Sequence, residues 1–523
     1  MLVSKSSTDL DGISVKLLKA VRSEIESPLA HAFNLSLTTG EFPHRLKASK
    51  VVPIHKAGDR TNCDNYRPIT LVNTFSKILE KLVYHKLTHH LESNKLIHKH
   101  QYGFQRHRST EHALLHILNT ISTALNENKY CTGIFLDLKK AFDTVPHDLL
   151  LKKLQKLGIS GTALKWFSSY LSNRTQKVEV NNTLSDSQEL NMSVFQGTCL
   201  GPILFLCFIN DLPNATELLA ILYADDTTGL DSDSDLPTLL ARTRSELTKL
   251  SHWFTANKMS LNVSKTKYII FHTQGKKVDP ELTLEIDANL PNTPHDPNLV
   301  TTVERIHSKH PNYDSQAFKL LGIYLDEHLN FNYNTAMLTS KLSRACFFIN
   351  RAKHTLSPKA LKTLYTSFFH SHLLYCTNIF SCTSQTNITS IFKQQKKAIR
   401  ILAKADYLEH TAPLFESLCI LPLEKIILQA KATFMHSIFY NYAPPSFNDT
   451  WTTYAQRNLI RNPRNDSCFY LPFPRIELFK RLPIYSMPLA WNNLGDLRYQ
   501  YNMVTFKISL NDFLHLPSEP EES

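Results

Sequence analysis

The stretch LAILYADDTTGL, residues 219–230, places two adjacent carboxylates, Asp225 and Asp226, in an apolar run that ends in Thr-Thr-Gly. The pattern predicts a strand, a tight turn and a returning strand, with the Asp pair at the tip. Because buried charges are costly, the pair must be solvated, paired with a base or neutralised by a metal ion. On this stretch alone, a solvated hairpin tip is the simplest interpretation.

The composition is that of a globular chain with more than one core. Its 523 residues are 42% hydrophobic and 20% charged, and this length predicts roughly two to four domains or one large multi-lobed body. No charged and apolar leader follows Met1, so we expect no secretory signal. The nearest approach to a membrane span, CLGPILFLCFINDL, is shorter than the roughly 18 apolar residues required and predicts a buried helix.

Nine cysteines occur without a CxxC pair and without a His/Cys cluster at zinc spacing. An odd number of unclustered cysteines indicates a reducing compartment and argues against a disulfide framework or a zinc knuckle. We therefore expect free thiols.

The formal net charge of +12 is unevenly distributed along the chain. Residues 41–110 carry 13 Lys and Arg against 5 Asp and Glu, residues 341–420 carry 11 against 3, and the remainder is net negative. Basic regions on either side of an acidic centre suit a polyanion that is held around a reaction site. Two solvated basic surfaces are the alternative from charge alone.

The hydrophobic pattern predicts an α/β fold. Between residues 131 and 271, predicted strands alternate with predicted helices, which indicates one sheet with helices packed on it. The elements are a strand at CTGIFLDL, a helix at HDLLLKKLQKLG, a strand at TQKVEVNN, a helix at GPILFLCFINDLP, and a short helix then a strand in SHWFTANKMSLNVSKTKYIIF. Residues 276–316, rich in Pro, Asn, Asp and His, predict a loop-rich insertion, and the chain beyond 338 is mostly helical.

A third aspartate occupies a position like that of the Asp pair. Asp137 ends the apolar strand GIFLDL, much as Asp225 follows AILY. Two strands that each bring a carboxylate to one end of a shared sheet can hold a pair of divalent cations, and carboxylates suit Mg²⁺ or Mn²⁺. Metal binding would neutralise the Asp pair. By itself, Asp137 is equally well explained as a helix cap for KKAFD.

Seven blocks, taken in order, carry a specific resemblance. They are VVPIHKAGDRTNCDNYRPITLVNTFSKILEK, QYGFQRHRST, FLDLKKAFDTVPH, FQGTCLGPILFLCFINDL, LYADDT, LNVSKTKYIIF and FKLLGIYLDEHLNF. Over residues 41–335 this order resembles the reverse transcriptases of LINE-type, non-LTR retrotransposons, close to the Jockey-like elements. The resemblance implies a right-hand polymerase, with an α+β palm between fingers and a helical thumb.

The resemblance also implies five segments along the chain. Residues 1–115 would form an N-terminal extension and the fingers, residues 116–275 the palm with its catalytic motifs, and residues 276–337 the loop-rich insertion and the end of the palm. Residues 338–440 would form the thumb, and residues 441–523 a basic and aromatic C-terminal region with an acidic tail.

For catalysis, the resemblance implies that Asp137 and Asp225 are the principal metal ligands, with Asp226 as the supporting carboxylate. The backbone carbonyl of Leu138 would be a further ligand. Two Mg²⁺ or Mn²⁺ ions would lower the pKa of a primer 3′-hydroxyl and stabilise charge on the phosphorus and the pyrophosphate. Lys265 matches the lysine that protonates or neutralises the leaving pyrophosphate, and an ordinary surface lysine is the alternative.

For nucleotide binding, Lys56 and Arg67 match the fingers positions that hold the triphosphate. Phe142 matches the bulky position that blocks a ribose 2′-hydroxyl, although a plain core aromatic is the alternative. Gln196 and Gly197 match the turn that receives the template and the incoming base pair, where close backbone approach excludes a Cβ.

For nucleic-acid binding, the expected contacts are with the backbone phosphates. Arg108 is a candidate for the template, and Lys393, Lys396 and Lys397 are candidates for the primer–template in the thumb.

The chain departs from the family pattern at three positions. Ser193 and Phe195 stand where the family usually has Gly and Pro, and Gln105 stands where it usually has Arg. The first two departures bear on the shape of the nucleotide pocket.

The expected function is that of an RNA-directed DNA polymerase, which transfers nucleotides from dNTPs to a primer 3′-hydroxyl on an RNA template. A partner would supply the endonuclease, no membrane is involved, and the family implies an intracellular, nuclear location. The alternative is a catalytically silent, retrotransposon-derived nucleic-acid-binding protein that keeps the fold and both basic regions.

Overall fold

The N-terminal part of the chain combines helices with one β-hairpin. This computed structural model describes residues 8–195, 197–287, 300–312, 315–457 and 467–515. The first elements are α1 (Val15–Ala20), α2 (Arg22–Thr39), β1 (Ala48–His55), β2 (Tyr66–Val72), α3 (Thr74–Ser93) and α4 (Thr110–Asn126).

The central part alternates strands with helices. Its elements are β3 (Tyr130–Leu136), α5 (His147–Lys156), α6 (Gly161–Leu171), β4 (Arg174–Val180), β5 (Thr183–Leu184), β6 (Gln188–Leu190), α7 (Gly201–Ile209), β7 (Leu219–Tyr223), β8 (Asp226–Asp233), α8 (Leu236–Ala256), β9 (Lys267–Phe271), β10 (Leu284–Asp287), β11 (Val300–Arg305), β12 (Phe318–Leu320) and β13 (Ile323–Leu325).

The C-terminal part is helical. Its helices are α9 (Asn332–Ala352), α10 (Pro358–Tyr365), a π-helical turn (Thr366–His370), α11 (Ser371–Leu374), α12 (Thr377–Phe380), α13 (Gln385–Ala403), α14 (Ala412–Ser417), α15 (Leu423–Phe439), α16 (Glu477–Arg481), α17 (Pro483–Asn492) and α18 (Met503–His515).

Six strands form the central sheet in the order β10-β11-β9-β3-β8-β7. Strand β3 pairs antiparallel with both β8 and β9, whereas β11 runs parallel to β9. Six of the seven residues of β3 are buried, because helices cover both faces of a central strand and no solvent-facing positions remain. A second sheet joins β1, β2, β4, β5 and β6, and β12 pairs with β13.

The central sheet separates two hydrophobic cores. Along β3, Ile134 and Leu136 enter the core that α3 and α5–α8 share, whereas Cys131 and Phe135 enter the core of α4 and α15–α18. This division follows the two-residue period of a strand. A third core lies within the helical region, among α9, α10, α13 and α15.

The structure confirms the α/β fold class and the predicted strands and helices of the centre. The prediction of a single sheet is wrong, because the strand at TQKVEVNN, β4, pairs with β1 in the second sheet. The helix at HDLLLKKLQKLG ends before Gly158, which has φ of 86°. The helix in SHWFTANKM was predicted to be short, and this is wrong. Helix α8 has 21 residues, because the apolar spacing of Leu239, Leu247, Leu250 and Phe254 begins well before the quoted stretch.

The region predicted as a loop-rich insertion contributes to the central sheet. Strands β10 and β11 pair antiparallel, and Glu304 and Arg305 of β11 pair with β9. Proline and asparagine concentrate in residues 288–299, which lie outside the described residues. Because that segment has the composition of a loop, the short alternating strands on either side of it were not predicted. The helical region begins at Asn332 rather than 338, and the acidic tail lies outside the described residues.

Two further expectations concern the thiols and the membrane. All nine cysteines are free thiols, as predicted. Among the described residues, no helix combines the length and the apolarity that crossing a bilayer demands.

Candidate active site

The turn between β7 and β8 presents the Asp pair. Tyr223 pairs with Asp226 across the hairpin, so that Ala224 and Asp225 form a two-residue tip. Ala224 has φ of 58°, a left-handed conformation that costs a residue with a Cβ roughly 1–2 kcal/mol. The side chain of Gln101 supports this backbone, because its Oε1 accepts a hydrogen bond from the Ala224 amide at 3.0 Å.

The segment around Gln101 lies along β7 like an additional edge strand. The amide of Leu222 donates to the carbonyl of His100 at 2.9 Å, and the amide of Tyr102 donates to the carbonyl of Leu222 at 2.7 Å. A Cβ on Gly103 would lie 2.3 Å from the amide nitrogen of Ala224. Glycine is therefore required at 103 for the edge segment to reach the Asp turn.

Three carboxylates meet at one end of the central sheet. Leu136 pairs with Thr227, so Asp137 and Asp226 follow and precede paired residues at the same end of β3 and β8. Burial and then repulsion from Asp137 raise the pKa of Asp225 above its ordinary value. Partial burial, with repulsion from Asp225 and Asp137, raises the pKa of Asp226 to about 6. The three groups therefore share one electrostatic site.

Asn262 fixes the position of Asp137. Its side-chain amide donates to Asp137 Oδ2 at 2.9 Å, and its backbone amide donates to the Asp137 carbonyl at 2.8 Å. The next bond of this short ladder runs from the Lys139 amide to the Ser260 carbonyl at 2.9 Å. These two ladder bonds flank Leu138 and use neither its amide nor its carbonyl, so the carbonyl predicted as a ligand is not engaged by them.

The β1–β2 hairpin brings two cations toward the carboxylates. Lys56 and Arg67 both counteract the rise in the pKa of Asp225 through their positive charges, and both side chains are exposed. Lys140 also reaches across from the turn after β3 and pairs with Asp64 in the hairpin loop at 3.0 Å. The hairpin thus faces the end of the central sheet that carries the aspartates.

A cavity of about 340 Å³ opens beside the carboxylates. Asp137, Asp226 and Lys265 line it, together with Phe318 and Lys319 of the β12–β13 hairpin. Lys265 is exposed. Its ammonium group can therefore reach an anion that occupies the cavity, and its action on a leaving group stays a prediction.

Phe142 lies on the surface of the first core with part of its ring exposed. The ring stacks on Phe205 of α7, with centroids 4.4 Å apart and planes at 23°, and meets Phe104 edge to face at 6.2 Å. Its carbonyl accepts a hydrogen bond from Val194 at 2.8 Å. The ring is thus supported from behind, which suits either a rigid steric barrier or a core aromatic.

The loop before α7 packs against strand β2. Gly197 has φ of 107°, and a Cβ there would lie 2.8 Å from the carbonyl oxygen of Thr70. Gln196 lies outside the described residues. The Cys199 amide donates to the buried Glu80 carboxylate at 3.0 Å, which anchors the loop to α3.

The two departures from the family pattern in this loop have different structural consequences. Phe195 is buried, and its ring lies 4.5 Å from the guanidinium of Arg174, so the larger side chain is accommodated by a cation–π contact. Ser193 has φ of 115°, a backbone conformation that glycine adopts readily and serine does not. Serine therefore keeps the glycine-like backbone at an energetic cost.

We expect Ser193→Gly to stabilise the protein by about 1 kcal/mol. The release of strain at a positive φ, roughly 1–3 kcal/mol, exceeds the roughly 0.5–1 kcal/mol of extra unfolded-state entropy that glycine introduces. Differential scanning calorimetry should show a Tm rise of about 1–2 °C. Ser172→Gly is the matched control, because Ser172 has φ of −81° and should lose stability. Equal shifts in the two variants would contradict the strain at Ser193.

The residues expected to bind nucleic acid differ in whether their charged groups already have contacts within the protein. Arg108 donates to the carbonyls of Lys99 and Gln101 at 2.6 and 2.7 Å, so one guanidinium nitrogen already supports the edge segment. Its contact with template stays a prediction. On α13, the side chains of Lys393 and Lys397 are exposed one turn apart, and Lys396 lies over the ring of Phe392.

Sequence reasoning missed the residues that position the site. Asn262, Gln101 and Gly103 contact Asp137 or the Asp turn, from which they are more than 100 residues away in the chain. The scarcity of glycine, 13 in 523 residues, makes each glycine worth locating, and this is the one sequence signal that bears on Gly103.

The donor set of the site fits a divalent cation. Asp137, Asp225 and Asp226 are oxygen donors whose mutual repulsion a cation would relieve, and such hard ligands suit Mg²⁺ or Mn²⁺. The three carboxylates interact electrostatically, but their oxygen atoms do not all lie within 4.8 Å of one another. Among the described residues, a different group brings three ligand atoms within 4.8 Å of one another, namely His272, Glu327 and His328.

A sheet that brings paired carboxylates to one end, opposite a basic hairpin and beside a helical region, defines the class of palm-type nucleic-acid polymerases. The family described as "Reverse transcriptase (RNA-dependent DNA polymerase)" matches residues 54–325. This match covers just over half of the chain, which therefore belongs to the reverse transcriptase family and has its right-hand polymerase fold.

The similar curated proteins belong to non-LTR retrotransposons. The chain is 28% identical over 416 residues to the probable RNA-directed DNA polymerase from transposon BS of Drosophila melanogaster, covering 77% of this chain and 43% of that protein. It is 27% identical to the RNA-directed DNA polymerase from mobile element jockey of the same species, covering 77% and 42%. The Jockey-like resemblance is confirmed. The chain spans less than half the length of these relatives.

Solved structures of telomerase are also similar. Apo telomerase from Candida tropicalis has a TM-score of 0.35 at 13% identity, covering 46% of this chain and 52% of that one. Telomerase from Candida albicans, in complex with a TWJ fragment of telomeric RNA, has a TM-score of 0.35 at 12% identity, covering 80% and 67%.

Proposed function

We propose that this chain is an RNA-directed DNA polymerase, which extends a DNA primer on an RNA template. The observation that carries the proposal is the convergence of Asp137, Asp225 and Asp226 at one end of the sheet, facing Lys56 and Arg67 on the β1–β2 hairpin. Three carboxylates held close together repel one another, and this repulsion is costly if their role is purely structural. The same arrangement suits a nucleotide triphosphate and its metal ions.

The three aspartates and the Leu138 carbonyl would hold two Mg²⁺ or Mn²⁺ ions. Bound there, the ions supply a lowered pKa for the primer hydroxyl and charge stabilisation at the phosphorus. Asn262 keeps Asp137 in a fixed orientation through its 2.9 Å hydrogen bond. The amide leaves Asp137 Oδ1 available as a ligand.

The remaining residues bind and orient the nucleotide. Lys56 and Arg67 hold the triphosphate, where the Arg fork matches phosphate oxygens. Lys265, beside the cavity, donates a proton to the leaving pyrophosphate or neutralises its charge. Gln196 and Gly197 receive the templating base pair, and Phe142 lies beneath the sugar.

The partners follow from this chemistry. The RNA template and the DNA primer bind along the fingers and the helical region, where the basic segments 41–110 and 341–420 lie. The family implies a nuclear location, and we propose that the protein acts in the nucleus.

Metal-dependent primer extension by the purified chain tests the proposal. With an RNA template, a DNA primer and dNTPs, we expect extension in Mg²⁺ or Mn²⁺ and none after chelation with EDTA. A chain that binds primer–template and extends nothing in either metal would be the catalytically silent alternative.

We expect replacement of Lys393, Lys396 and Lys397 by glutamine to weaken primer–template binding about 10-fold at moderate salt. Each lost phosphate contact should reduce the slope of log Kd against log salt concentration by nearly one unit. Products should become shorter, whereas the choice of nucleotide should not change. Fluorescence anisotropy across a salt series measures the first effect.

The control for this triple variant removes the same charge elsewhere. Lys16, Lys19 and Lys152 are exposed and lie outside the thumb. Their replacement by glutamine should leave the slope nearly intact. If both triple variants lose the same number of units, the effect is one of net charge, and α13 does not contact nucleic acid.

A further inference from the structure

Three potential metal ligands converge away from the aspartates. His272 follows the last residue of β9, and Glu327 and His328 follow β13. One ligand atom from each lies within 4.8 Å of the others, and His272 and Glu327 are buried. Strand β9 separates the group from the site of Lys265 by about 17 Å, since five residues of strand rise about 3.3 Å each.

The distances in this group are too long for hydrogen bonds. His272 Nε2 lies 3.6 Å from Glu327 Oε2, and His328 Nε2 lies 3.6 Å from Glu327 Oε1. A protonated imidazole would approach a carboxylate to about 2.7–2.9 Å. Ligands about 2.0–2.1 Å from a tetrahedral ion are about 3.3 Å apart. The spacing is therefore closer to that of atoms that share an ion.

The orientation of both rings points their Nε2 atoms toward the carboxylate. His272 Nδ1 lies 3.0 Å from the Thr273 carbonyl, and His328 Nδ1 lies 3.0 Å from the His272 carbonyl. A carbonyl accepts only, so each Nδ1 carries a proton, and each ring turns its Nε2 edge toward Glu327. Both Nε2 atoms therefore face the same carboxylate, which leaves room for one cation among the three side chains.

The surroundings of Glu327 resemble the outer shell of a metal site. The Ser308 amide donates to Oε1 at 3.0 Å, and the Ser308 hydroxyl donates to the same oxygen. Backbone carbonyls on the histidine Nδ1 atoms and donors on the carboxylate are the usual supports of metal ligands. The guanidinium of Arg305 lies 3.7 Å from Oε2, so an Arg305–Glu327 ion pair beside the two histidines, with no metal ion, is the competing arrangement.

We propose that His272, Glu327 and His328 bind one transition-metal ion, with Zn²⁺ as the chemistry that fits best. Two imidazole nitrogens and a carboxylate are borderline ligands that suit Zn²⁺ and exclude Mg²⁺ as the preferred ion. Water occupies the fourth position. The ion joins the end of β9 to the loop that leads from β13 into α9, and so ties the central sheet to the helical region.

A Co²⁺ titration of the purified full chain in millimolar Mg²⁺ tests the site, since Mg²⁺ occupies the aspartates and Co²⁺ reports tetrahedral coordination in its visible spectrum. We expect one equivalent of tetrahedral Co²⁺ that Zn²⁺ displaces. Glu327→Gln should weaken binding about 100-fold or more, whereas Asp225→Asn and the exposed His354→Gln should not change it. Each variant is first checked for native circular dichroism.

X-ray absorption of the wild-type chain provides a second test of the metal site. X-ray absorption of the Zn²⁺-loaded chain should show two imidazoles and oxygen ligands about 2.0–2.1 Å from the metal. Absence of a tetrahedral Co²⁺ spectrum, or equal uptake by wild type and Glu327→Gln, would overturn the proposal and favour the Arg305–Glu327 ion pair. Neither readout depends on polymerase activity.

Discussion

Asp225→Asn should abolish nucleotide addition while leaving primer–template affinity within about twofold of wild type. The substitution keeps the shape of the side chain and removes the charge that, in the proposed function, holds the divalent cations. Loss of metal stabilisation at the phosphorus should cost about 4 kcal/mol or more, which corresponds to at least about a 1,000-fold lower rate of extension. Single-turnover extension on an RNA template measures this rate.

The same variant should be no less stable than wild type. Burial and repulsion from Asp137 raise the pKa of Asp225, so its charge opposes folding and a neutral amide relieves that opposition. Asp231→Asn, on the adjoining strand β8, provides the contrast, because Asp231 pairs with Arg242 at 2.5 Å. That variant should lose stability and keep activity. Retention of more than about 1% of the extension rate by Asp225→Asn would remove Asp225 from the metal site.

The strands that carry the aspartates could be predicted from the sequence alone. The apolar runs before Asp137 and Asp225 leave no alternation, and such runs predict buried central strands whose ends meet at one edge of a sheet. The pairing of Leu136 with Thr227 fulfils that expectation. Local pattern was enough here because each strand is specified by a few consecutive residues.

The supports of the site could not be predicted in this way. Gln101 and Asn262 act on Ala224 and Asp137 across separations of 123 and 125 residues, and no local period encodes such contacts. Strands β10 and β11 were also missed, because their few residues flank a segment whose composition is typical of loops. Both failures concern pairings between distant parts of the chain, which are determined by tertiary packing.

Ser193 shows a third kind of limit. The sequence marks it as a departure from glycine, and the natural expectation is a changed loop. The structure instead keeps a φ of 115° at this position, held by a hydrogen bond from the Ser193 amide to the Val145 carbonyl at 3.0 Å. The surrounding packing therefore overrides the preference of the single residue.

The structure also bears on how Phe142 would select deoxyribonucleotides. Phe205 stacks on one side of the ring at 4.4 Å, so the ring cannot retreat into the core without displacing a fully buried neighbour. Part of the ring remains accessible. A rigid edge at this point would meet a ribose 2′-hydroxyl and exclude the water that the hydroxyl would otherwise bind.

Phe142→Ala should therefore raise ribonucleotide incorporation selectively. A hydroxyl that loses its hydrogen bonds costs about 1–3 kcal/mol, which corresponds to roughly a 5- to 150-fold preference before any steric clash. The measurement is the ratio of kcat/KM for dGTP and GTP opposite a template cytosine. Phe142→Tyr, which keeps the bulk, should preserve the wild-type ratio. If both values of kcat/KM fall together in Phe142→Ala and their ratio is unchanged, the ring acts only as a core aromatic stacked on Phe205, because a packing defect lowers activity without distinguishing the sugars.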